Sequence, residues 1–479
     1  MWLHVDAMGE GPVGRRIYRQ IKEQILRGEL KAGETVPSSR ALSKELGVAR
    51  NTVLEAYEQL TAEGYLETRP GSGTTVTEGI KALFDQGAAV QERSISRIPE
   101  GQPSEGMISF RSGIPALEHF PLKEWLRCYQ RASERLPASG FAYNNPLGVP
   151  ELRNALADYL LRSRGIRVTP KRIAVTSGAT QGLWLAARVL RGEGRAVLVE
   201  DPAHRGLTEV LQRAGYEARG VTVDDEGMDT SRLPDTDAAR DLAFAYCTPS
   251  HQFPLGGILP VRRRMELLRF ARELGIYVVE DDYDSEFRYA GAPVSAMFEL
   301  DGERVVYLGS FSKILAPALR LGFGVLPEEL IQPWQAEKKY TDVHTDALSQ
   351  YALAEFMTSG GLERHLWRMK KLYRRRREEL LQGLQRHFGS GFAVRGHAAG
   401  LHMVVSFKGV TFTNDLVAKL QQGGVTVIPL ESYALHPSGQ YSHSIVMGYA
   451  HLTAEAMDRG LGLLKAGIAQ EFPNTSFVQ

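Results

Sequence analysis

Cysteine, long apolar runs and an excess of charge of either sign are what this sequence lacks. Its 479 residues include only Cys128 and Cys247, too few and too far apart for a disulfide framework or a zinc site. No stretch approaches the ~18 consecutive apolar residues of a membrane-spanning helix, and residues 1–10 lack a signal-peptide pattern. The formal net charge is +1, so any affinity for nucleic acid must come from a local patch. These absences predict a cytoplasmic protein without a metal centre and without a membrane partner.

The composition is that of a globular protein, with 43% hydrophobic and 24% charged residues. At ~150 residues per domain, the length predicts about three units. Apolar periodicity is clear up to residue 78, fades between residues 79 and 107, and returns from residue 108. We therefore predict a first domain over 1–78, a linker over 79–107 and a larger domain over 108–479, whose small C-terminal subdomain begins at about residue 362.

The pattern of the first domain predicts three short helices and a hairpin. Ile17, Ile21 and Ile25 recur every four residues, which places an apolar stripe on a helix that ends near residue 28. A second helix follows residue 37, with Ser38 or Ser39 as its cap. The third helix is expected over 50–62, and two strands over 65–69 and 74–77 around the turn Pro70-Gly71-Ser72-Gly73. This order of elements is that of a winged helix-turn-helix.

Positive charge is concentrated in the first part of this domain. Between residues 14 and 52, nine Lys and Arg residues stand against four Glu. The third helix opens on Arg50, Asn51 and Thr52, whose side chains can bond base edges or phosphates in a major groove. Arg69 stands beside the glycine turn of the hairpin, where close approach to a DNA backbone is allowed. A small helical interaction module with a solvated basic face is the alternative.

From residue 108 onward, short apolar runs alternate with helical patterns, as in an α/β domain whose mainly parallel sheet is covered on both faces. The expected strands are 172–176, 196–200, 242–247, 276–280 and 305–308. A long helix over 362–388 opens the last part, and a smaller α+β unit follows, with strands near 401–406 and 425–428.

A lysine follows one of these strands in a distinctive setting. Lys313 ends the segment Ser310-Phe311-Ser312-Lys313, and Arg320 lies seven residues further on. A lone lysine after a strand is usually a surface cation, but Ser-x-x-Lys with a downstream Arg resembles the lysine segment of fold-type I aminotransferases. The resemblance implies that Lys313 forms a Schiff base with pyridoxal 5'-phosphate, while Ser310, Ser312 and Arg320 hold the phosphate.

Three further segments complete this expected pocket. Asp281 ends a strand and is expected to pair with the ring nitrogen of the cofactor, with Asp282 as the competing candidate; Tyr283 is expected to bond the ring hydroxyl. Without Lys313 the same acids would be interpreted as an exposed turn. The start of another helix provides a phosphate site at Gly178, Ala179 and Thr180. His204 stands where relatives of this fold carry an aromatic ring stacked on the cofactor, although a histidine in a polar turn is more often on the surface.

The sequence as a whole resembles the MocR subfamily of GntR-type regulators. The first domain carries Val36-Pro37-Ser38-Ser39-Arg40, Gly47-Val48-Ala49-Arg50-Asn51-Thr52 and the wing Gly71-Ser72-Gly73. The larger domain carries Tyr143-Asn144-Asn145-Pro146-Leu147-Gly148, Pro249-Ser250-His251-Gln252-Phe253-Pro254 and Phe311-Ser312-Lys313. The resemblance implies DNA contacts by Arg40, Arg50, Asn51 and Thr52, a head-to-tail domain-swapped homodimer, and double-stranded promoter DNA as the partner.

The sequence departs from the pattern of aminotransferases at one position. Tyr433 stands where an arginine usually holds the substrate carboxylate, and a phenol gives one neutral hydrogen bond instead of an ionic fork, a loss of ~1–3 kcal/mol. Arg205 or Arg395 is a candidate substitute. Another departure, Ala49, removes a helix cap worth ~1 kcal/mol.

We therefore predict a pyridoxal phosphate-dependent transcriptional regulator, associated with the nucleoid when bound to DNA. It senses the cofactor itself or an amino acid or amine, and it acts through operator affinity or RNA polymerase recruitment. An active aminotransferase with a DNA-binding tether is the first alternative, and a DNA-bound scaffold with an inactive pocket is the second. Eight cations on the long helix, over 364–377, indicate a solvated face or a supplementary DNA track.

Overall fold

The computed structural model describes residues 11–69, 73–78, 106–291 and 294–475. The chain forms two compact units, one within Met1–Glu100 and the other within Gly101–Gln479. Residues 79–105 of the predicted linker and residues 70–72 of the predicted turn lie outside the described residues. Among the described residues, no helix is long and apolar enough to cross a bilayer.

The first unit has a three-helix core and a small sheet. Its helices are α1 Val13–Leu26, α2 Ser39–Leu46 and α3 Arg50–Ala62, and its strands are β1 Thr35–Val36, β2 Leu66–Arg69 and β3 Gly73–Val76. The predicted stripe of Ile17, Ile21 and Ile25 is buried. Ser38 is the cap of α2, since its hydroxyl accepts a hydrogen bond from the amide of Ala41 at 3.2 Å. The strand β1 was not expected; it pairs with β3 and adds a third strand to the hairpin.

The second unit is built on an eight-stranded sheet. Its strands are β5 Ile173–Thr176, β6 Ala196–Asp201, β7 Glu217–Asp224, β8 Gly227–Met228, β9 Leu242–Cys247, β10 Tyr277–Asp282, β11 Val305–Ser310 and β12 Gly322–Val325. The order across the sheet is β5-β12-β11-β10-β9-β6-β7-β8. The neighbouring strands β11, β10, β9, β6 and β7 are parallel. The strand β12 runs antiparallel between β5 and β11, and β8 pairs antiparallel with β7. The predicted strands lie within two residues of these bounds, whereas β7, β8 and β12 were missed.

Helices cover this sheet, and their amphipathic faces supply two large buried clusters. They are α4 Leu122–Arg135, α5 Pro150–Arg164, α6 Ala179–Val189, α7 Arg205–Arg213, α8 Val261–Leu274, α9 Ile331–Thr341, α10 Ala347–Thr358 and the long α11 Gly361–Phe388. Because the central strands are parallel, their carboxyl ends lie at one edge of the sheet, where ligands bind in open α/β folds. The segments that follow β5, β6, β10 and β11 carry the predicted pocket residues to that edge.

The C-terminal part of the unit is a smaller α+β layer. An antiparallel sheet of order β13-β14-β17-β16 and two further helices contribute to one buried cluster. The elements are β13 Phe392–Arg395, β14 His402–Phe407, α12 Asn414–Gln422, β15 Val425–Thr426, β16 Ile428–Pro429, β17 Ser444–Gly448 and α13 Ala454–Glu471. A short strand from the start of the unit, β4 Ile108–Ser109, pairs with β15 in parallel. Residues far apart in sequence thus meet beside the pocket.

Candidate functional site

The lysine predicted to carry the chemistry lies beyond the carboxyl end of β11. Its amine donates a hydrogen bond to the carbonyl oxygen of Gly113 at 2.6 Å. Burial lowers the pKa of Lys313, Asp284 opposes that shift, and Arg111 adds to it. A depressed pKa increases the fraction of neutral amine, which is the nucleophilic form. The amine is therefore held in a half-buried position where neighbouring charges shift its pKa.

Asp281 and Asp282 are neighbours on β10, and the pleat turns their side chains to opposite faces. Asp282 forms an ion pair with the Arg164 guanidinium at 2.8 Å and accepts a hydrogen bond from the Tyr307 hydroxyl at 2.6 Å. Asp281 accepts one hydrogen bond, from Tyr246 at 2.5 Å, and its Oδ1 is buried without a partner among the described residues. The Asp282 carboxylate is thus fully used in contacts within the protein, whereas the Asp281 carboxylate has an acceptor oxygen that is open to a ligand.

Burial raises the pKa of Asp281 to about 6, the Tyr246 hydroxyl opposes the rise, and Asp282 adds to it. The charge of Lys313 also acts on this carboxylate and lowers its pKa, which shows that the two groups share one electrostatic environment. A cationic ring nitrogen placed against the open oxygen would favour the ionised form. The carboxylate therefore fits the pyridine nitrogen of pyridoxal phosphate.

The anion site lies at the start of α6. Gly178 adopts a φ of +96°, and the helix has no side-chain cap. A Cβ at this position would lie 2.6 Å from a guanidinium nitrogen of Arg320, which donates to the Ser177 carbonyl at 2.6 Å. Ala179 and Thr180 form the first turn, with Thr180 exposed. Uncapped helix amides beside a guanidinium form a cradle for a phosphate group.

The predicted serines lie at the carboxyl end of β11, just before the lysine. The hydroxyl of Ser310 accepts a hydrogen bond from the amide of Ser312 at 3.1 Å, which fixes the turn that leads to Lys313. Ser310 is buried and Ser312 is half-buried.

His204 and Tyr283 have partners within the protein. The Nδ1 of His204 accepts a hydrogen bond from the amide of Gly206 at 3.0 Å and caps α7, while its ring lies 5.3 Å from that of Phe253. Desolvation of the ring and then the charge of Lys313 lower the pKa of His204, although the residue is exposed. The Tyr283 hydroxyl donates to the His251 carbonyl oxygen at 3.0 Å.

A buried pair of His251 and Asp284 supports Tyr283. The His251 Nδ1 lies 3.0 Å from a carboxylate oxygen of Asp284 and 3.0 Å from the Tyr283 hydroxyl. Burial opposes a charge on His251, but Asp284 outweighs it and raises the pKa. The sequence motif around residues 249–254 pointed to this region without giving His251 a role.

A cleft of about 370 Å³ lies next to the pocket. It is lined by Ala203, Arg205, Thr208, Gln212, Glu431, Ser432, Tyr433, Ala434, Leu435 and Pro437. The cleft brings together both predicted effector residues, Tyr433 and Arg205. Arg395 lies 3.7 Å from Asp225 and does not line the cleft.

Sequence reasoning missed Tyr246, Gly113 and Arg111. The segment over 111–113 follows a strand of two residues, too short to show apolar periodicity. Burial raises the pKa of the Tyr433 hydroxyl and the Ser112 side chain lowers it, so this segment lies between the lysine and the cleft. Only tertiary packing places it there.

In the first unit, the predicted DNA-contact residues lie around the start of α3. Arg40, Arg50 and Asn51 are exposed and Thr52 is half-buried. The Arg50 Nε donates to the Ser39 hydroxyl at 3.3 Å, which ties the recognition helix to α2. Ala49 provides no side-chain cap, as expected. Arg69 ends β2, and its side chain lies outside the described residues.

The cations of α11 are divided between surface and core. Arg376 is buried, and it pairs with Glu118 at 2.8 Å. Five others are exposed, namely Arg364, Arg368, Lys371, Arg374 and Arg375. A supplementary DNA track on this exposed face stays a prediction.

The fold and the site define an aminotransferase-like domain, and the first unit defines a winged helix-turn-helix. Residues 105–464 match the family model for aminotransferase class I and II, and residues 14–76 match the model for bacterial regulatory proteins of the gntR family. The chain belongs to the MocR-type GntR regulators, in which these two domains are joined.

Two relatives and one solved structure illustrate this similarity. The chain is 33% identical over 475 residues to the probable rhizopine catabolism regulatory protein MocR of Rhizobium meliloti, covering 97% of this chain and 95% of that protein. It is 34% identical to the pyridoxine biosynthesis regulator PdxR of Corynebacterium glutamicum, over 76% of each chain. The α-aminoadipate aminotransferase LysN of Thermus thermophilus, solved with N-(5'-phosphopyridoxyl)-L-leucine, is 28% identical, with a TM-score of 0.68 over 76% of this chain and 93% of that one. The names of the relatives favour a transcriptional regulator over a tethered aminotransferase.

Proposed function

We propose that the second unit binds pyridoxal 5'-phosphate and that its occupancy controls the affinity of the first unit for promoter DNA. The observation that carries the proposal is a buried Asp281 oxygen that has no partner among the described residues, on a carboxylate that shares its electrostatic environment with the Lys313 amine. An unsatisfied buried acceptor costs ~1–3 kcal/mol, which a protonated ring nitrogen would remove. When bound, the cofactor supplies an aldehyde that captures amines and a ring that withdraws electrons.

In this proposal each predicted residue has a distinct task. Lys313 holds the cofactor covalently, and Asp281 keeps its ring nitrogen protonated. The phosphate is bound by Arg320, Ser310 and Ser312 and by the helix start at Gly178, Ala179 and Thr180. His204 and Tyr283 flank the ring, and the His251–Asp284 pair holds Tyr283 in place. DNA is contacted by Arg40, Arg50, Asn51, Thr52 and Arg69.

The domain limits also belong to the proposal: 1–78 for the DNA-binding domain, 79–107 for the linker and 108–479 for the effector domain.

We propose a head-to-tail homodimer. Large exposed aromatic side chains on the second unit support association, since Tyr143 is 88% exposed and Tyr340 is 86% exposed.

The test is a comparison of DNA affinity with and without pyridoxal phosphate. The full-length protein first selects duplexes from a random-sequence pool, and the affinity for a selected duplex is then measured at one fixed salt concentration. We expect the cofactor to change this affinity by about 5- to 150-fold, and the DNA to change cofactor affinity by the same factor. Arg50→Ala should weaken DNA binding in both states and leave cofactor binding unchanged. Equal DNA affinity in both states would contradict the coupling.

The effector is proposed to be the cofactor itself or a small amine that enters the cleft beside Tyr433. The Tyr433 ring packs edge-on against Phe253 at 5.2 Å, and burial raises the pKa of its hydroxyl. A neutral phenol cannot form an ion pair with a carboxylate. Arg205, exposed on the same cleft, is the cation available to an effector carboxylate.

Tyr433→Arg is expected to increase the affinity of the cofactor-loaded protein for α-amino acids by about tenfold, because it restores a charge-assisted pair. Titration of the visible absorbance with a panel of amino acids measures this affinity. Tyr433→Phe is the matched control and should leave it within about twofold of the native value. If Tyr433→Arg binds amino acids no better than the native protein, another residue holds the carboxylate.

A further inference from the structure

A buried lysine outside the predicted site lies directly behind the phosphate cradle. Lys338, on α9, is 0% exposed. Its amine donates hydrogen bonds to the Asp342 carboxylate at 2.8 and 2.9 Å, to the Thr345 hydroxyl at 3.1 Å and to Gln181 Oε1 at 3.2 Å. Lysine is almost never fully buried unless it is paired. The amine thus joins three side chains from two parts of the chain.

The partners of Lys338 are also the groups that hold Ser177. The Ser177 amide donates to Gln181 Oε1 at 2.7 Å, and its hydroxyl donates to an Asp342 oxygen at 3.2 Å. Gln181 Nε2 donates to the same Asp342 oxygen at 2.7 Å. The remaining Ser177 group, its carbonyl, accepts the bond from Arg320. The residue before Gly178 is therefore fixed on one side by the buried cluster and on the other by the phosphate-binding guanidinium.

Backbone strain is found in the same cluster. Val343 has a φ of +64°, a conformation that β-branched residues rarely adopt. Its neighbours Asp342 and Thr345 both bond the Lys338 amine, and the His344 amide donates to the Asp342 carbonyl at 2.7 Å. Strained residues persist where surrounding contacts over-determine them, often at functional sites. Lys338 supplies such contacts on both sides of Val343.

We propose that Lys338 is a positioning residue for the phosphate group, and that it gives the pocket its preference for the phosphorylated form of pyridoxal. The inference rests on the proposed binding of pyridoxal phosphate. Lys338 holds Asp342 and Gln181, these two hold Ser177, and Ser177 sets the directions of the α6 amides and of Arg320. A site whose donors are fixed in advance binds its anion more tightly than one whose donors must be ordered on binding. The ring and aldehyde parts of the ligand do not depend on this chain of contacts.

The test compares two ligands that differ only in the phosphate group. Affinities of the full-length protein for pyridoxal phosphate and for pyridoxal are measured by absorbance titration, for the native chain and for Lys338→Met. We expect the variant to lose about tenfold or more in affinity for pyridoxal phosphate, as supporting residues do at other preorganised sites, and to stay within about twofold for pyridoxal. Lys339→Met is the matched control, since Lys339 is the next residue of α9 and is exposed. It should change neither affinity.

A second variant covers the case in which Lys338→Met fails to fold. Lys338→Met/Asp342→Leu replaces the ion pair of the fully buried lysine by apolar groups, a change that is often neutral for folding. It removes the Asp342 hydrogen bond to Ser177, and it takes from Gln181 the two side chains that hold it. This variant should also lose the preference for pyridoxal phosphate. An unchanged ratio of the two affinities in the folded double variant, or an equal loss for both ligands, would overturn the role of Lys338. A native chain that binds neither ligand would instead overturn the proposed function, and this inference with it.

Discussion

Replacing Lys313 with alanine is expected to abolish covalent capture of pyridoxal phosphate and the yellow colour that accompanies it. The amine is half-buried, its pKa is lowered, and it donates to the Gly113 carbonyl at 2.6 Å, so it is held in place as a nucleophile. Reduction with borohydride followed by intact-mass measurement should show the cofactor attached to the native chain and absent from the variant. The phosphate cradle is unaltered in Lys313→Ala, so weak reversible binding should remain.

Lys339→Ala is the control for this experiment, because it removes an exposed amine from the same unit. It should retain covalent capture. DNA binding by Lys313→Ala in the absence of cofactor should equal that of the native chain without cofactor, since the predicted DNA-contact residues lie in the first unit. Covalent attachment in Lys313→Ala would show that another lysine carries the chemistry.

Replacing Asp282 with asparagine is expected to destabilise the second unit by ~3–5 kcal/mol, because it leaves the Arg164 guanidinium buried without its counter-ion. The side chains of the two residues are 4% and 3% exposed. Asp281→Asn is the matched control, and it should leave the unit as stable as the native chain or more stable at neutral pH. Urea unfolding followed by tryptophan fluorescence measures both, since Trp125, Trp184, Trp334 and Trp367 lie in this unit. Equal stability of the two variants would contradict the separation of roles.

The stability of the second unit is also expected to depend on pH through Asp281. Because burial raises the pKa of Asp281 to about 6 in the folded chain, the folded state binds a proton that the unfolded state releases near pH ~4. The cofactor-free protein therefore loses stability from this group as the pH rises from ~4 to ~6, by roughly 3 kcal/mol. The difference in unfolding free energy between the native chain and Asp281→Asn across this range isolates the contribution.

Local patterns were sufficient for most elements near the site. The third helix of the first unit was expected over 50–62 and is found at Arg50–Ala62, because an apolar stripe and a glycine stop define it locally. Strand β9 was expected over 242–247 and is found there, because six consecutive buried residues give a clear apolar run. The strands β1 and β12 were missed. The strand β1 has only two residues, which is too short for an alternating apolar pattern, and two of the four residues of β12 are glycine. Strand partners that are distant in sequence therefore determine both strands.

Within the pocket, the sequence by itself determined which residue types follow which strands: a lysine after β11, adjacent acids at the end of β10 and a glycine before α6. It did not distinguish Asp281 from Asp282, because adjacent positions of one strand differ only in the face to which they point. The tertiary structure gave the two carboxylates different surroundings: Arg164 and Tyr307 lie against Asp282, and an oxygen of Asp281 has no partner among the described residues. It also placed Gly113 on Lys313 and Lys338 behind Ser177, since hydrogen bonds between residues some 160 to 200 positions apart leave no periodic trace in the sequence.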